Sequence, residues 1–589
     1  MWRLVRDRYA ALDPRSLGLF RIAFGCALIA DLLGRVPVLV PFYTDDGLVP
    51  ASTAMRESFS LLHAFSSPTQ IGWAFAATAA VYLCYLVGFH TRAAQVASLL
   101  LVTSLHARSP IIEGTGDLVM NLLALWTVFL PLGSRFSVDA VRASLRAHDE
   151  RTAADLNDRS HPAPPALAPH VSLACLAVLL QLAVIYAKSA AQQTGAIWRD
   201  GTAIHYLLNQ ERVVSAFGVA CRQHLPLFVL ALWTWTTLVI TFAAPVLLAL
   251  PIGQRRARWA LLVSVWCLHV GIGLSTNLRQ LQATMMTGPL ILLGAADWSW
   301  LGARHRRRTG ALVLIYDGTC GICHASARLL KRMDPLGQID FHSNDEPALP
   351  RAVSRELAER TAVVIDPASG RTWIRAAAFA KVFRVLPGWA PLGWVMQIPG
   401  LAQLLGFAYD LFARNRHRVS AAFGLAACGV APPAQTVEQR ASGDRGLPHR
   451  TPFDWTRLSL REAAVGLLLI ACTGQYVRRF ALVPVARADG ILVVDGVTAD
   501  GTRLDPLNGD SPRFEVAPPR GRYPMSPSWS EYVDRIHRPE YARHRDGLRT
   551  YLTHQHLVAF DVYWLSRSLP APGQSAPSPL ERQRILSYP

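Results

Sequence analysis

The first 300 residues of this chain are dominated by apolar runs of about 20 residues, the length at which a helix crosses the hydrocarbon core of a bilayer. A backbone in lipid must satisfy its own N–H and C=O groups, so such runs have to be helices. Eight candidate spans precede residue 300, at 17–40, 71–89, 93–108, 117–132, 169–188, 225–250, 258–275 and 281–298. A ninth lies at 462–480. The opening MWRLVRDR followed by an apolar run has the charge pattern of a signal peptide. The run from Leu17 to Val40 is long, however, and no small-residue cleavage site follows it, so an uncleaved first span is expected.

Composition points the same way. Apolar residues make up 51% of the chain and charged residues only 17%, below the ~25% usual for soluble proteins. The net charge of +18 invites a nucleic-acid partner. The positive residues fall in short bursts beside apolar runs, which is how membrane proteins place cytoplasmic charge, so nucleic acid is set aside and the lipid bilayer is the expected partner. Arg3, Arg6, Arg8 and Arg15 precede the first span. Arg135, Arg142, Arg146, Arg151 and Arg159 follow the fourth, Arg255, Arg256 and Arg258 the sixth, and Arg304, Arg306, Arg307 and Arg308 the eighth. All four clusters lie inside if the N-terminus does. The expected setting is a bacterial cytoplasmic membrane with residues 303–460 in the cytoplasm and the C-terminal tail outside.

The expected fold is an α-helical polytopic membrane bundle of about eight spans, a thioredoxin-like α/β domain, a ninth span and a small α+β tail. The boundaries are 1–306 for the membrane domain, 307–425 for the α/β domain, 426–460 for a linker, 461–481 for the ninth helix and 482–589 for the extramembrane tail. In the α/β segment, ALVLIY (311–316) has the continuous apolarity of a buried strand, and Ile322, Ala325, Leu329, Leu330 and Met333 share one face of a helix. Short strands at 339–341, 362–365 and 372–374 and a helix over 376–385 complete a thioredoxin-like order. In the tail, ILVVDGVTADGTRLD (491–505) predicts a hairpin, Trp529 to His554 has helical spacing, and the Pro-rich last twenty residues predict disorder.

Nine cysteines are present; Cys26, Cys84, Cys175, Cys267 and Cys472 lie in apolar runs, where a small hydrophobic residue is the plain explanation. Only Cys320 and Cys323 form a close pair, in IYDGTCGICHASARLL. The strand before them puts Cys320 at the start of a helix, where free N–H groups and aligned peptide dipoles favour the thiolate. Cys323 lies one turn later, within reach to resolve a mixed disulfide. The same residues match a haem-attachment pattern, Cys-x-x-Cys-His, and half a structural zinc site. The strand–turn–helix context and the lack of a second cysteine pair nearby outweigh both, and no metal is expected.

YDGTCGICHASARLL resembles the opening of the DCC family of thiol-disulfide oxidoreductases, with Asp317, Cys320 and Cys323 at its motif positions, and YDLFARNR (409–416) is similar to that family's closing stretch. The chain departs from it in placing Gly321-Ile322 between the cysteines, where many members have proline, and in having no proline before the Ala362 strand. The resemblance implies dithiol exchange with a thiol or disulfide protein substrate or a cytoplasmic thiol donor, Cys320 attacking and Cys323 resolving, with Asp317 in support.

Titratable side chains within spans are costly and are functional candidates for that reason. With the topology above, Asp31, His106, Asp117, Lys188, His269 and, in the following loop, His205 with Trp198 gather toward the outer side, while Arg21 lies near the inner end. Lysine can lose its proton once desolvated and arginine cannot. Only Lys188, Lys331 and Lys381 are lysines in this chain, so Lys188 is a candidate base. The alternatives for it are a snorkelling lysine or an ion pair with Asp117. The stretches LGLFRIAFGCALIADLL, FYTDDGLVP, GFHTRAA, GDLVMNLLALWTVFLPLGSRFSVD and IYAK…IWRDGTAIHYLL resemble the horizontally transferred transmembrane (HTTM) domain, the bacterial relative of vitamin K-dependent gamma-carboxylase. That resemblance implies a quinol as co-substrate and Lys188 as the base acting on it; the residues by themselves specify no cofactor. A rival expectation is a non-catalytic transporter or immunity-type protein whose dithiol senses redox state. Another is a quinone-linked relay between the two sites.

Overall fold

The computed structural model describes residues 2–143, 169–318, 320–344, 353–422, 460–479, 485–509, 511–516, 526–574 and 578–589. The expected linker, save its last residue, and Arg146, Arg151 and Arg159 lie outside these. Five helices are long and apolar enough to cross a membrane: Pro14–Tyr43, Pro68–Val87, Leu173–Gln192, Leu227–Ala249 and Gln254–Ser275. They mark the chain as a membrane protein. We label the helices α1 (Pro14–Arg35), α2 (Pro68–Val87), α3 (Thr91–Ala107), α4 (Thr115–Thr127), α5 (Leu173–Gln192), α6 (Leu227–Ala249), α7 (Gln254–Ser275), α8 (Arg279–Thr287) and α9 (Ala295–Thr309).

The difference from the expected eight has local causes. The runs at 93–108 and 117–132 form the short helices α3 and α4. The run at 281–298 is not one helix: α8 passes into a 3-10 turn at Gly288–Leu292 carrying Pro289, which has no N–H to continue the ladder. Gly294 then starts α9, with Asp297 accepting from its N–H. Helix ends elsewhere follow their capping residues. Asp13 accepts from Arg15 N ahead of Pro14 in α1, and Ser67 and Gln70 close a capping box on α2. Gly88 ends α2 at φ 70°, and a side chain there would strike the buried Arg21. Arg21 in turn donates to the carbonyls of Leu132, Arg135 and Phe136, so the polar exception near this end of α1 ties down a loop.

The α/β unit is a four-stranded sheet of β1 (Leu312–Tyr316), β2 (Ile339–Ser343), β3 (Val363–Ile365) and β4 (Thr372–Ile374), in the order β2-β1-β3-β4. β2 is parallel to β1, and β3 and β4 are antiparallel. Its helices are α10 (Gly321–Met333), α11 (Arg375–Val385), α12 (Ala390–Val395) and α13 (Leu401–Ala422). β1 is apolar throughout because both faces are covered. Leu312 and Leu314 pack with Leu330, Ala378 and Val382, and Ile315 packs with Val353 and Ala358. The unit leans on α9: His305 Nε2 lies 3.0 Å from the Val385 carbonyl, and Gln338 donates to Gly302 O at 3.2 Å.

After the undescribed stretch, α14 (Leu460–Arg479) packs on α5, with Val465 in the main core. The tail is a second sheet, β5 (Ala488–Thr498), β6 (Arg503–Leu504), β7 (Leu557–Ser568) and β8 (Glu581–Tyr588), with helices α15 (Pro527–Ile536) and α16 (Arg545–Thr553). The expected hairpin forms as β5–β6. The expected disorder of the last twenty residues does not hold, because β8 pairs along β7, buries Ile585 and Leu586, and stacks Tyr588 on Phe560. Save for Pro589 beyond its end, the prolines of this stretch lie in the connector ahead of it.

This tail packs against the bundle end opposite the α/β unit. Phe42, beyond the C-terminal end of α1, meets Trp529 and Tyr532, whereas Ser16 near its N-terminal end accepts from Trp298 of α9. Arg212 bridges Asp489 at 3.0 Å and Asp534 at 3.1 Å, and Arg535 donates to the Ile111 and Glu113 carbonyls.

Candidate functional site

Cys320 is the N-cap residue of α10 and takes the position usually held by serine or aspartate. Its Sγ accepts the Cys323 N–H at 3.4 Å. Both cysteines are free thiols, Cys320 fully covered and Cys323 half-buried. A hydrogen bond from the Cys323 thiol pulls Cys320 down to about 6; burial opposes this, and the Cys323 N–H and the Arg416 charge assist it. The same thiol–thiolate bond, with burial, pushes Cys323 far above an ordinary thiol. One proton is therefore shared unequally by the pair, and Cys320 carries the negative charge.

The two ends of the matched motif meet here. Arg416 of α13 pairs with Asp317 at 2.6 Å and also donates to the Glu359 carbonyl at 2.7 Å. Tyr409 accepts the Ala362 N–H at 2.8 Å and the Thr361 hydroxyl at 3.1 Å, fixing the strand entry that has no proline before it. Asp317, Cys323, Tyr409 and Arg416 line a cavity of about 40 Å³ behind the dithiol. Sequence reasoning named Asp317 but not Arg416 or Tyr409 as site members; their signal was the closing YDLFARNR stretch. It also missed the cover over Cys320, which neighbouring elements supply. His324 packs edge-on to Tyr316 at 5.7 Å.

A strand–turn–helix with a polarised cysteine pair at the helix start defines a thiol-redox module. Residues 314–422 match the family described as DCC1-like thiol-disulfide oxidoreductase, and this segment forms such a domain. No curated protein and no solved structure matches the chain significantly.

The membrane candidates separate into groups. Asp31, His106 and Asp117 come together, fully buried, around a residue the sequence reading passed over. Arg35 donates to Asp31 at 2.9 Å, to Asp117 at 2.5 Å and to the Tyr43 hydroxyl at 2.8 Å. His106 lies 3.1 Å from Asp31 and 3.3 Å from Asp117, with its other ring nitrogen 2.8 Å from Asn121 Oδ1. The i, i+4 spacing from Asp31 was the available signal for Arg35. A guanidinium already donates to both carboxylates, so a cation would have to displace it; the cluster is an ion network. Asp117 therefore pairs with Arg35 and Gln280, not with Lys188.

Asp117 and Trp198 line a cavity of about 510 Å³ between the bundle and the tail domain, together with Arg35, Gln282, Arg212 and Glu531. His269 is buried beside it, 3.2 Å from the Tyr186 hydroxyl and hydrogen-bonded to Gln282. His205 lies 3.0 Å from the Pro570 carbonyl and belongs to the contact with the tail. Lys188 is half-buried on α5, pairs with no described residue and does not line the cavity. Glu531 sits in the wall at 2.7 Å from Arg535, and burial raises it above the usual carboxylate range.

The Cys320 value fixes a pH dependence. Folded Cys320 titrates near 6 against an ordinary 9.0, so between these values the unfolded chain holds a proton the folded one has lost. The reduced form therefore gains stability as pH rises from 6 to 9 and loses it as pH falls through 6. Thiolate ultraviolet absorbance of the full chain, taken as wild type minus Cys320→Ser, is expected to rise with a midpoint near 6. Cys323→Ala should move that midpoint toward an ordinary thiol. An unshifted wild-type midpoint would rule out the thiolate assignment.

Proposed function

We propose that the chain is a membrane-bound thiol-disulfide oxidoreductase. The observation that carries this is Cys320 at the helix start, holding the Cys323 N–H on its sulfur beside the Asp317–Arg416 pair. In the reductive direction the Cys320 thiolate attacks a substrate disulfide, and one substrate sulfur leaves as thiolate. That thiolate takes the Cys323 proton, and Cys323 attacks Cys320 Sγ and releases the second sulfur. Two electrons pass to the substrate and the module ends as a Cys320–Cys323 disulfide, which a thiol donor reduces. Asp317 positions Arg416, which supplies the counter-charge to the thiolate.

An enzyme of this kind turns over many equivalents of a disulfide such as insulin with a dithiol donor, while Cys323→Ser accumulates a mixed disulfide. A protein that changes state once, without turnover, is the redox-sensing transporter or immunity-type partner instead.

The module is proposed to face the cytoplasm, with the N-terminus, because the arginine clusters gather at its end of the bundle. A membrane-impermeant maleimide should then label the Cys320–Cys323 pair, read as wild type minus a variant with both cysteines replaced by serine, in permeabilised cells only. Labelling of intact cells would reverse the orientation.

A second reading rests on the 510 Å³ cavity at the other end. In it the membrane part is a carboxylase-like HTTM module that holds a quinol, with Asp117, Trp198 and His269 shaping the site and Lys188 accepting a quinol hydroxyl proton. Asp31 and His106 hold Asp117 in place, and His205 keeps the tail seated. Reaching the quinol would require Lys188 to turn from its place on α5 toward the cavity. A reduced naphthoquinone added to the full chain in nanodiscs should raise its melting temperature, and Lys188→Ala should keep binding but lose the bound phenolate spectrum. A melting temperature indifferent to the quinol would retire this reading.

A further inference from the structure

We infer that the DCC1-like domain docks on the lipid surface through α12 and the first half of α13. From Val385 to Tyr409 the chain carries no charged side chain, yet the segment is broken by Pro399-Gly400 and too short on either side to span a bilayer. Both helices pack one face on α11 and turn the other outward. The outward face is apolar: Trp394 is 60% exposed, Leu404 62% and Phe407 70%, joined by Trp389, Val395, Ile398 and Leu411. On α13 the exposed apolar positions 404, 407 and 411 recur at helical spacing, and the next positions on that face are Arg414 and Arg418. Exposed Arg384 stands just ahead of the segment.

Two tryptophans and a row of aliphatic and aromatic residues edged by arginine, with the one acid beside them, Asp410, paired to Arg375 at 3.2 Å, is the composition of a helix lying in the headgroup region of an anionic leaflet. Position along the chain names the same occupant. The domain is strung between α9 and α14, both packed on the bundle, so it cannot leave the membrane. The apolar segment begins beside α9, where His305 meets the Val385 carbonyl. One and a half turns back along α9, Trp300 packs edge-on to Trp259 of α7, next to Arg255 and Arg256, an aromatic and basic pairing typical of a membrane–water boundary. The opposite face of α13 carries Tyr409, Ala413 and Arg416, which line the dithiol cavity. Docking therefore holds the dithiol at the level of the headgroups and confines its partners to disulfides carried at the membrane surface. The docking itself does not depend on the thiol reaction.

The test uses the full chain in nanodiscs of phosphatidylglycerol and phosphatidylethanolamine, with p-benzoylphenylalanine replacing Phe407 or Trp394. Arg371, exposed in the β3–β4 turn, is the control position. Irradiation is expected to give lipid adducts by mass spectrometry at Phe407 and Trp394 and none at Arg371. The low Cys320 titration midpoint, retained in each variant, verifies the fold. Adducts to a second copy of the chain would assign the face to self-association and overturn the inference. Equal lipid adducts at Arg371, or none at the two test positions, would also overturn it.

Discussion

An arginine inside a bilayer keeps its proton, and the bundle is built around that constraint at Arg35. Desolvating a guanidinium is affordable only with anions at contact distance, and Asp31 and Asp117 meet it from two helices while Tyr43 fills the third direction. His106 closes the ring from a third helix. Removing one member of such a buried network costs about 3–5 kcal/mol, because the remaining charges lose their partner. The cluster thus fixes α1, α3 and α4 relative to one another, and through Gln280 it sets the start of α8. The wall of the large cavity follows from that arrangement, as does the seat on which Phe42 meets the tail domain.

Charge is handled differently at the other end of the molecule. There the negative group is a thiolate, set by the unequal sharing of one proton between two sulfurs. The neighbouring thiol, the N–H at the helix start and Arg416 favour charge on Cys320, while burial and the Asp317 carboxylate oppose it. Arg416, paired with Asp317, offsets that carboxylate.

Much of this was legible wherever a single physical rule dominates. The longest apolar runs became spanning helices because lipid permits little else, and ALVLIY became a central strand because both its faces are covered. The Asp-Gly turns of 491–505 produced their hairpin. The run at 281–298 misled because hydropathy does not register a single proline: Pro289 breaks the ladder without changing the apolar count. The tail misled in the opposite sense, since a Pro-rich connector masked the ILSY stretch that completes the sheet. Arg35 went unnoticed beside Asp31, although the spacing of four was there to read. Which of Asp31, His106, Asp117, Lys188 and His269 would meet was not legible at all, because that depends on how short helices rotate against their neighbours. Three of the five converge, His269 stands apart beside Gln282, and Lys188 points elsewhere.

The bridge between Asp317 and Arg416 joins the first strand of the thiol domain to its last helix. A ribosome makes these ends at different times. Until α13 emerges, the nascent cysteine pair has neither the guanidinium nor the Tyr409 anchor, and its thiol is less strongly activated. The cysteine pair thus leaves the ribosome tunnel with its chemistry muted, and it is fully armed only when α13 follows and the module closes.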